Sequence, residues 1–177
     1  MENLKIQEFA SIRASIRERG TLRPILFIAT VGLWAILILW LFTSEAIPLA
    51  TIFPLLVLAA GFEALYALHV NVERIGRYLQ VEYEESGLPD APTWETRSMQ
   101  YGQRFRGKGP HPLFVGFFII LLFANFLPVA LSGLPPEQIG LGAAHLAFAA
   151  RILLARQRCA VQRAEDLERF RSLATRP

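Results

Sequence analysis

Ile25 to Ser44 carries no charged residue, Ile47 to Val70 carries only Glu63, and Leu113 to Ser132 carries none. An α-helix crosses a hydrocarbon layer of ~30 Å with ~20 apolar residues, so each run is long enough to span a bilayer. A fourth run is weaker. Ile139 to Ala150 is uncharged, Arg151 interrupts it, and Ile152 to Ala155 continues it. Started near Pro136, this run also reaches across. The fold read from these runs is all-α. It is a polytopic integral membrane protein with four transmembrane helices, at about 24–44, 46–70, 112–132 and 136–157, and with cytoplasmic helical extensions.

The cations order these spans. All 18 Lys and Arg fall in three segments: Lys5 to Arg23, Arg74 to Lys108, and Arg151 to Arg176. The two short hairpins, Thr43 to Ala46 and Ser132 to Gln138, carry only Glu45 and Glu137. The positive-inside rule then places both termini and the loop 71–111 in the cytoplasm of a bacterial-type inner membrane. Three spans would split the basic segments across the membrane, so their agreement supports the fourth. The net charge of +3 is a topology signal first and an attraction to anionic lipid second. Nucleic acid is not an expected partner. With 53% hydrophobic residues the chain is neither disordered nor collagen-like. Its single cysteine, Cys159, falls on the cytoplasmic side as a thiol, so no disulfide or Cys-based metal motif forms within one chain. The first run is too long for a cleaved signal peptide and follows a leader containing three Glu.

Outside the spans, residues 1–20 read as an amphipathic interfacial helix. Phe9, Ile12 and Ile16 lie at helical spacing, Arg13, Arg17 and Arg19 lie near headgroups, and Gly20 is the C-cap. Pro24 suits the first turn of span one. Span two continues as a helix to Glu85 through Val72, Ile75, Leu79 and Tyr83, with Glu73 and Arg77 spaced to pair. Gly87 to His111 reads as a loop. Residues 161–177 form a C-terminal cytoplasmic helix. Its stripe of Ala164, Leu167, Phe170 and Ala174 suits packing against the span-two extension or a partner. Pro54 and Pro128 are expected to kink spans two and three. Gly140, Ala144 and Ala147 allow close approach of span four to a neighbouring helix.

Few groups inside the membrane can carry chemistry. Glu63 lies ~24 Å in from the outer start of span two, and Arg151 lies ~22 Å in from Pro136. No other ions share that depth, so spans two and four are expected to touch through a buried Glu63–Arg151 pair. His145 and Asn125 share a depth in the outer half and suit an interhelical hydrogen bond, or, as a sharper alternative, a cofactor site. His69 and His111 are expected at the interface, exposed to headgroups. Arg104, Arg106 and Lys108, mixed with Trp94, Tyr101 and Phe105, suit anionic lipid headgroups. The stretch Gly102 to Gly109 approaches a phosphate-binding loop, but it lacks the final Ser or Thr and any strand before it, so ATP is not expected.

No nucleophile–base–acid set, HExxH or GxSxG is present, so the chain is not expected to be an enzyme. No metal or other cofactor is expected in the leading reading. That reading is an accessory, scaffold or assembly subunit of a membrane complex, touching membrane lipids and a protein partner or a second copy of itself. An alternative is an oligomeric small transporter or channel with its ion or proton site at Glu63. In outline, four helices and an intramembrane Glu, this alternative resembles the small multidrug transporters. The Glu stands in the second span and the charge bias fixes one orientation, so no residue role is carried over. A third reading is a haem- or pigment-binding subunit using His145.

Overall fold

The computed structural model describes residues 2–44, 47–85, 92–105, 113–132 and 134–175. Among them every regular element is helical, and there is no strand. Helix α1 is Glu2–Thr43. A 3-10 turn, Pro48–Thr51, leads into α2, Ile52–Leu79, which runs on as a π-helical segment, Gln80–Glu84. Helices α3, Trp94–Arg104, α4, Val115–Ser132, and α5, Pro135–Ala174, follow. Three helical stretches are long and apolar enough to cross a membrane: Leu4–Thr43, Pro48–Glu84 and Pro135–Ala174. Helix α4 is uncharged, with Asn125 as its one polar interior residue, but shorter, at 18 residues.

Several expectations are corrected. Gly20 is not a C-cap, because α1 passes without a break through Gly20 and Pro24. Pro24 therefore sits inside a helix, where it removes one backbone hydrogen bond. Pro54 occupies the first turn of α2, where its missing N–H would have no intrahelical partner, so it need not kink the helix. The stretch 87–111 is not loop throughout, since it contains α3.

The chain divides into two compact units. One gathers residues 1–22, 68–110 and 158–177, and the other residues 23–67 and 111–157.

In the second unit, Phe62 is fully buried and meets Phe118 and Phe148 edge-on, with ring centroids at 5.2 and 5.9 Å. Leu58, Leu65 and Ile152 complete this core. Helices α1 and α2 approach so closely that a Cβ on Gly61 would overlap the Thr30 side chain. Phe114 stands just before α4 with φ 49°, a conformation that L-residues rarely adopt. Its ring stacks on Phe27 at 4.3 Å, a contact that helps hold it there. The outer surface of this unit is apolar, with Ile36, Leu39, Phe123, Leu131 and Leu146 all exposed. A surface of that kind suits lipid rather than water.

The first unit is knit differently. Phe9 packs on Tyr83, and Tyr78 on Phe170, with centroids at 5.2 and 5.7 Å. Leu79, Val81 and Leu167 are buried. The Glu73–Arg77 pair expected from helical spacing does not form. Glu73 instead takes a 2.7 Å contact from Arg163. The end of α2 and the end of α5 are joined further by Arg74–Asp166 at 3.4 Å and Arg171–Glu85 at 2.7 Å. Helix α3 is capped from outside its own sequence. Thr93, at its N-cap, makes no side-chain capping bond. The Glu84 carboxylate accepts the backbone N–H groups of Glu95 and Thr96 instead, both at 2.7 Å. An anion there satisfies two donors that the helix leaves open and faces the positive end of its dipole.

Candidate functional site

Glu63 and Arg151 meet in the second unit. Arg151 Nη2 donates to Glu63 Oε2 at 2.7 Å, joining α2 to α5. The guanidinium also lies over the Tyr66 ring, with Cζ 4.8 Å from the centroid. The pair is not buried as expected. Its side chains are 47% and 36% exposed, because both stand at the outer edge of the α2–α5 seam and not within it. The physical cause is helical phase. Each residue turns the helix by ~100°, which puts Glu63 a quarter-turn round α2 from the buried Phe62.

Asn125 and His145 also meet, and they belong to a larger network. Asn125 Nδ2 lies 3.0 Å from His145 Nε2 and donates to the Thr51 carbonyl at 3.2 Å. Trp34 donates its indole N–H to Asn125 Oδ1 at 3.1 Å. His145 Nδ1 lies 2.7 Å from the Leu141 carbonyl. The consistent tautomer carries its proton on Nδ1, donates it to Leu141, and accepts from Asn125 at Nε2. Both ring nitrogens are thereby engaged. Nothing in the apolar pattern around Trp34 distinguishes this donor from an ordinary lipid-facing or packing aromatic. Beside His145 an apolar crevice of about 270 Å³ runs between α4 and α5, lined by Ile119, Phe123, Phe126 and Leu146.

The other candidate residues are placed as follows. His69 is buried, not exposed at an interface. It lines a small cavity of about 10 Å³ with Glu73, Cys159 and Arg163, room for about one water. Among the described residues no three potential metal ligands converge. Arg104 is exposed in the last turn of α3, its guanidinium 5.8 Å from the Phe105 ring. His111, Arg106 and Lys108 lie outside the described residues.

A cluster that the sequence did not announce organises the first unit. Arg77 is buried on α2 and holds three partners. It donates to Glu95 Oε2 at 3.2 Å, to Gln80 Oε1 at 2.6 Å and to Met99 Sδ at 2.8 Å. Arg13, from α1, takes the other oxygen of Glu95 at 3.2 Å. Burial pushes the Glu95 carboxyl above its ordinary range, and the two guanidiniums pull it back only in part. Gln80 carries the network on to Glu85 at 3.1 Å, and the Arg171 hydrogen bonds hold Glu85 below the ordinary range. A Cβ on Gly76 would stand 2.7 Å from Glu95 Oε2, so a bare backbone at this position makes room for the carboxylate. The sequence signal for this cluster was faint but present: Arg77 shares an α2 face with the apolar Val70, where a solvated cation is out of place.

Comparisons with protein families, with characterised proteins and with solved structures each find no match.

Proposed function

We propose that the protein is a four-span, multi-pass protein of a bacterial-type inner membrane that serves as an accessory, scaffold or assembly subunit of a membrane complex. In this reading both termini and the loop 71–111 are cytoplasmic. The segregation of the cations supports that orientation. Helix α4 is the third span in chain order, and its length of ~27 Å falls just short of a ~30 Å layer, a mismatch that local thinning of the bilayer takes up.

The observation that carries the scaffold role is the Arg77 cluster. The start of α1, the end of α2 and α3 come from the segments assigned to the cytoplasm. Arg77, Glu95 and Arg13 tie them into one folded module. Such a module presents a fixed surface to a partner while the apolar helices anchor it. Native electrophoresis of gently solubilised membranes tests this. The protein should migrate in an assembly containing other membrane proteins, and Arg77→Met should release it from that assembly while leaving it in the membrane. Identical migration of both forms as a particle of this chain alone would overturn the reading.

A second reading, a small transporter or channel, is favoured by one observation. Glu63 keeps a half-exposed carboxylate in an otherwise uncharged run. Reconstituted protein would then carry a pH-dependent flux that Glu63→Gln abolishes.

A further inference from the structure

The half-exposed pair in the second unit stands on an unusual surface. On α5 the residues flanking Arg151 on its outer side are Gly140, Ala143, Ala147 and Ala150, and all four are exposed. On α2 the exposed residues beside Glu63 include Ala60 and Ala67. Elsewhere this unit turns large side chains outward, such as Phe123, Leu131 and Leu146. Here it turns outward mostly glycine and alanine, with Leu56 on α2 and Leu154 on α5 as the large side chains among them and one carboxylate and one guanidinium beside them.

Two physical facts bear on what covers such a strip. Helices in lipid gain nothing from hiding apolar surface, so they associate where small residues let backbones come close and where polar groups find partners. A guanidinium has five N–H donors, and Arg151 spends one of them on Glu63. One face of the guanidinium is turned to Tyr66, and the donors left over are costly in hydrocarbon unless another group accepts them.

We infer that this face of α2 and α5 is where a second copy of the chain docks, with Glu63 and Arg151 of each copy pairing with Arg151 and Glu63 of the other. The argument for a second copy is charge complementarity under symmetry. Copies inserted the same way round hold Glu63 and Arg151 at the same two depths. A two-fold axis along the membrane normal brings each guanidinium to the opposite carboxylate, and the four charges sum to zero. The small residues around them let the helices approach closely enough for this exchange. The inference rests on the membrane reading above, and not on its scaffold role.

Cysteine crosslinking in native membranes tests it, in a Cys159→Ser background. Ala147→Cys should join two copies into a dimer under mild oxidation. Leu146→Cys, on the α4 flank of the same helix, should not. Glu63→Arg alone places like charges across the axis, as does Arg151→Glu alone. Either should lower the Ala147→Cys dimer by about tenfold or more. Co-expression of the two variants should restore dimers joining one chain of each kind. Such recovery also shows that both variants fold. Crosslinking of Ala147→Cys to a different protein, or no dimer from a chain that resists carbonate extraction, overturns the inference and leaves the membrane reading standing. A chain extracted by carbonate overturns both.

Discussion

Arg77 and Glu95 face each other at 3.2 Å, their side chains only 3% and 11% exposed. Removing water from two ions is expensive, and their attraction offsets that cost only while both are present. Arg77→Met leaves Glu95 buried with Arg13 as its remaining cation, and should cost about 3 kcal/mol in stability. Adding Glu95→Leu removes the stranded charge, so the double variant should recover most of the loss. Thermal unfolding in mild detergent reads both. Equal stability of Arg77→Met and the native protein would show that the pair contributes nothing.

The two shifted carboxylates give opposite pH dependences. Glu85 is held below its ordinary value of 4.5 by Arg171, so its stabilisation is present above that value and fades as pH falls through the folded one. Glu95 is raised above 4.5 by burial. Its contribution is greatest below 4.5 and is lost as pH rises through the raised value. Comparing unfolding temperatures from about pH 3 to pH 8 should show Glu85→Gln less stable than the native protein at neutral pH and equal to it in acid. The native advantage over Glu95→Gln should shrink with rising pH. Parallel curves for all three proteins would contradict both assignments.

Gly61 packs against Thr30 with no room for a Cβ. Gly61→Ala should force α1 and α2 apart and cost about 1–3 kcal/mol, despite the better helix propensity of alanine. Thr30→Ala, which removes the two outer atoms of the overlap, should recover part of that loss when combined with it. A Gly61→Ala protein as stable as the native one would show that the helices do not approach this closely.

What the sequence revealed, and what it hid, follows the kind of signal each feature leaves. Glu63 and Arg151 could be paired by counting depth, because an ion in an apolar run has few possible partners. Their exposure could not be read, because depth along a helix says nothing about which seam a residue edges. Trp34 left no trace as a donor, since an indole on an apolar helix has the same pattern whether its N–H is bonded or not. The Glu73–Arg77 spacing misled because cross-helix partners, Arg163 and Glu95, outcompeted a local i,i+4 contact worth a few tenths of a kcal/mol. Helix α3 was missed because its N-terminus is satisfied by Glu84, eleven residues upstream of Glu95, where local capping rules do not look. The continuity of α1 through Gly20 and Pro24 ran against local breakers in the same way.

Asn125 links three elements through Trp34, Thr51 and His145. Asn125→Leu and His145→Ala should each destabilise by about 1 kcal/mol, and less than additively, because each removes the same bond. His145 Nδ1 lies 2.7 Å from the Leu141 carbonyl and Nε2 lies 3.0 Å from Asn125 Nδ2, so a metal at Nε2 would have to displace Asn125. The visible spectrum of gently purified protein should show no band that His145→Ala abolishes. Such a band would revive the haem or pigment reading.

The short α4 makes the topology a sharp test. If its 18 residues failed to cross, α1, α2 and α5 alone would span the membrane. An amino terminus inside would then force the carboxyl end outside, carrying Arg156 to Arg176 across the bilayer with it. Translocating that many cations next to a span opposes the bias that orients membrane helices. Reporter fusions active only in the cytoplasm should therefore light up at the amino end, at Arg97 in α3 and at the carboxyl end. A fusion at Ser44, just past the end of α1, should stay dark and respond only to a periplasmic reporter. Opposite responses from the two chain ends would remove α4 from the membrane and the shared side from the segments that the Arg77 cluster joins. The cytoplasmic module on which the scaffold reading stands would then fail with it.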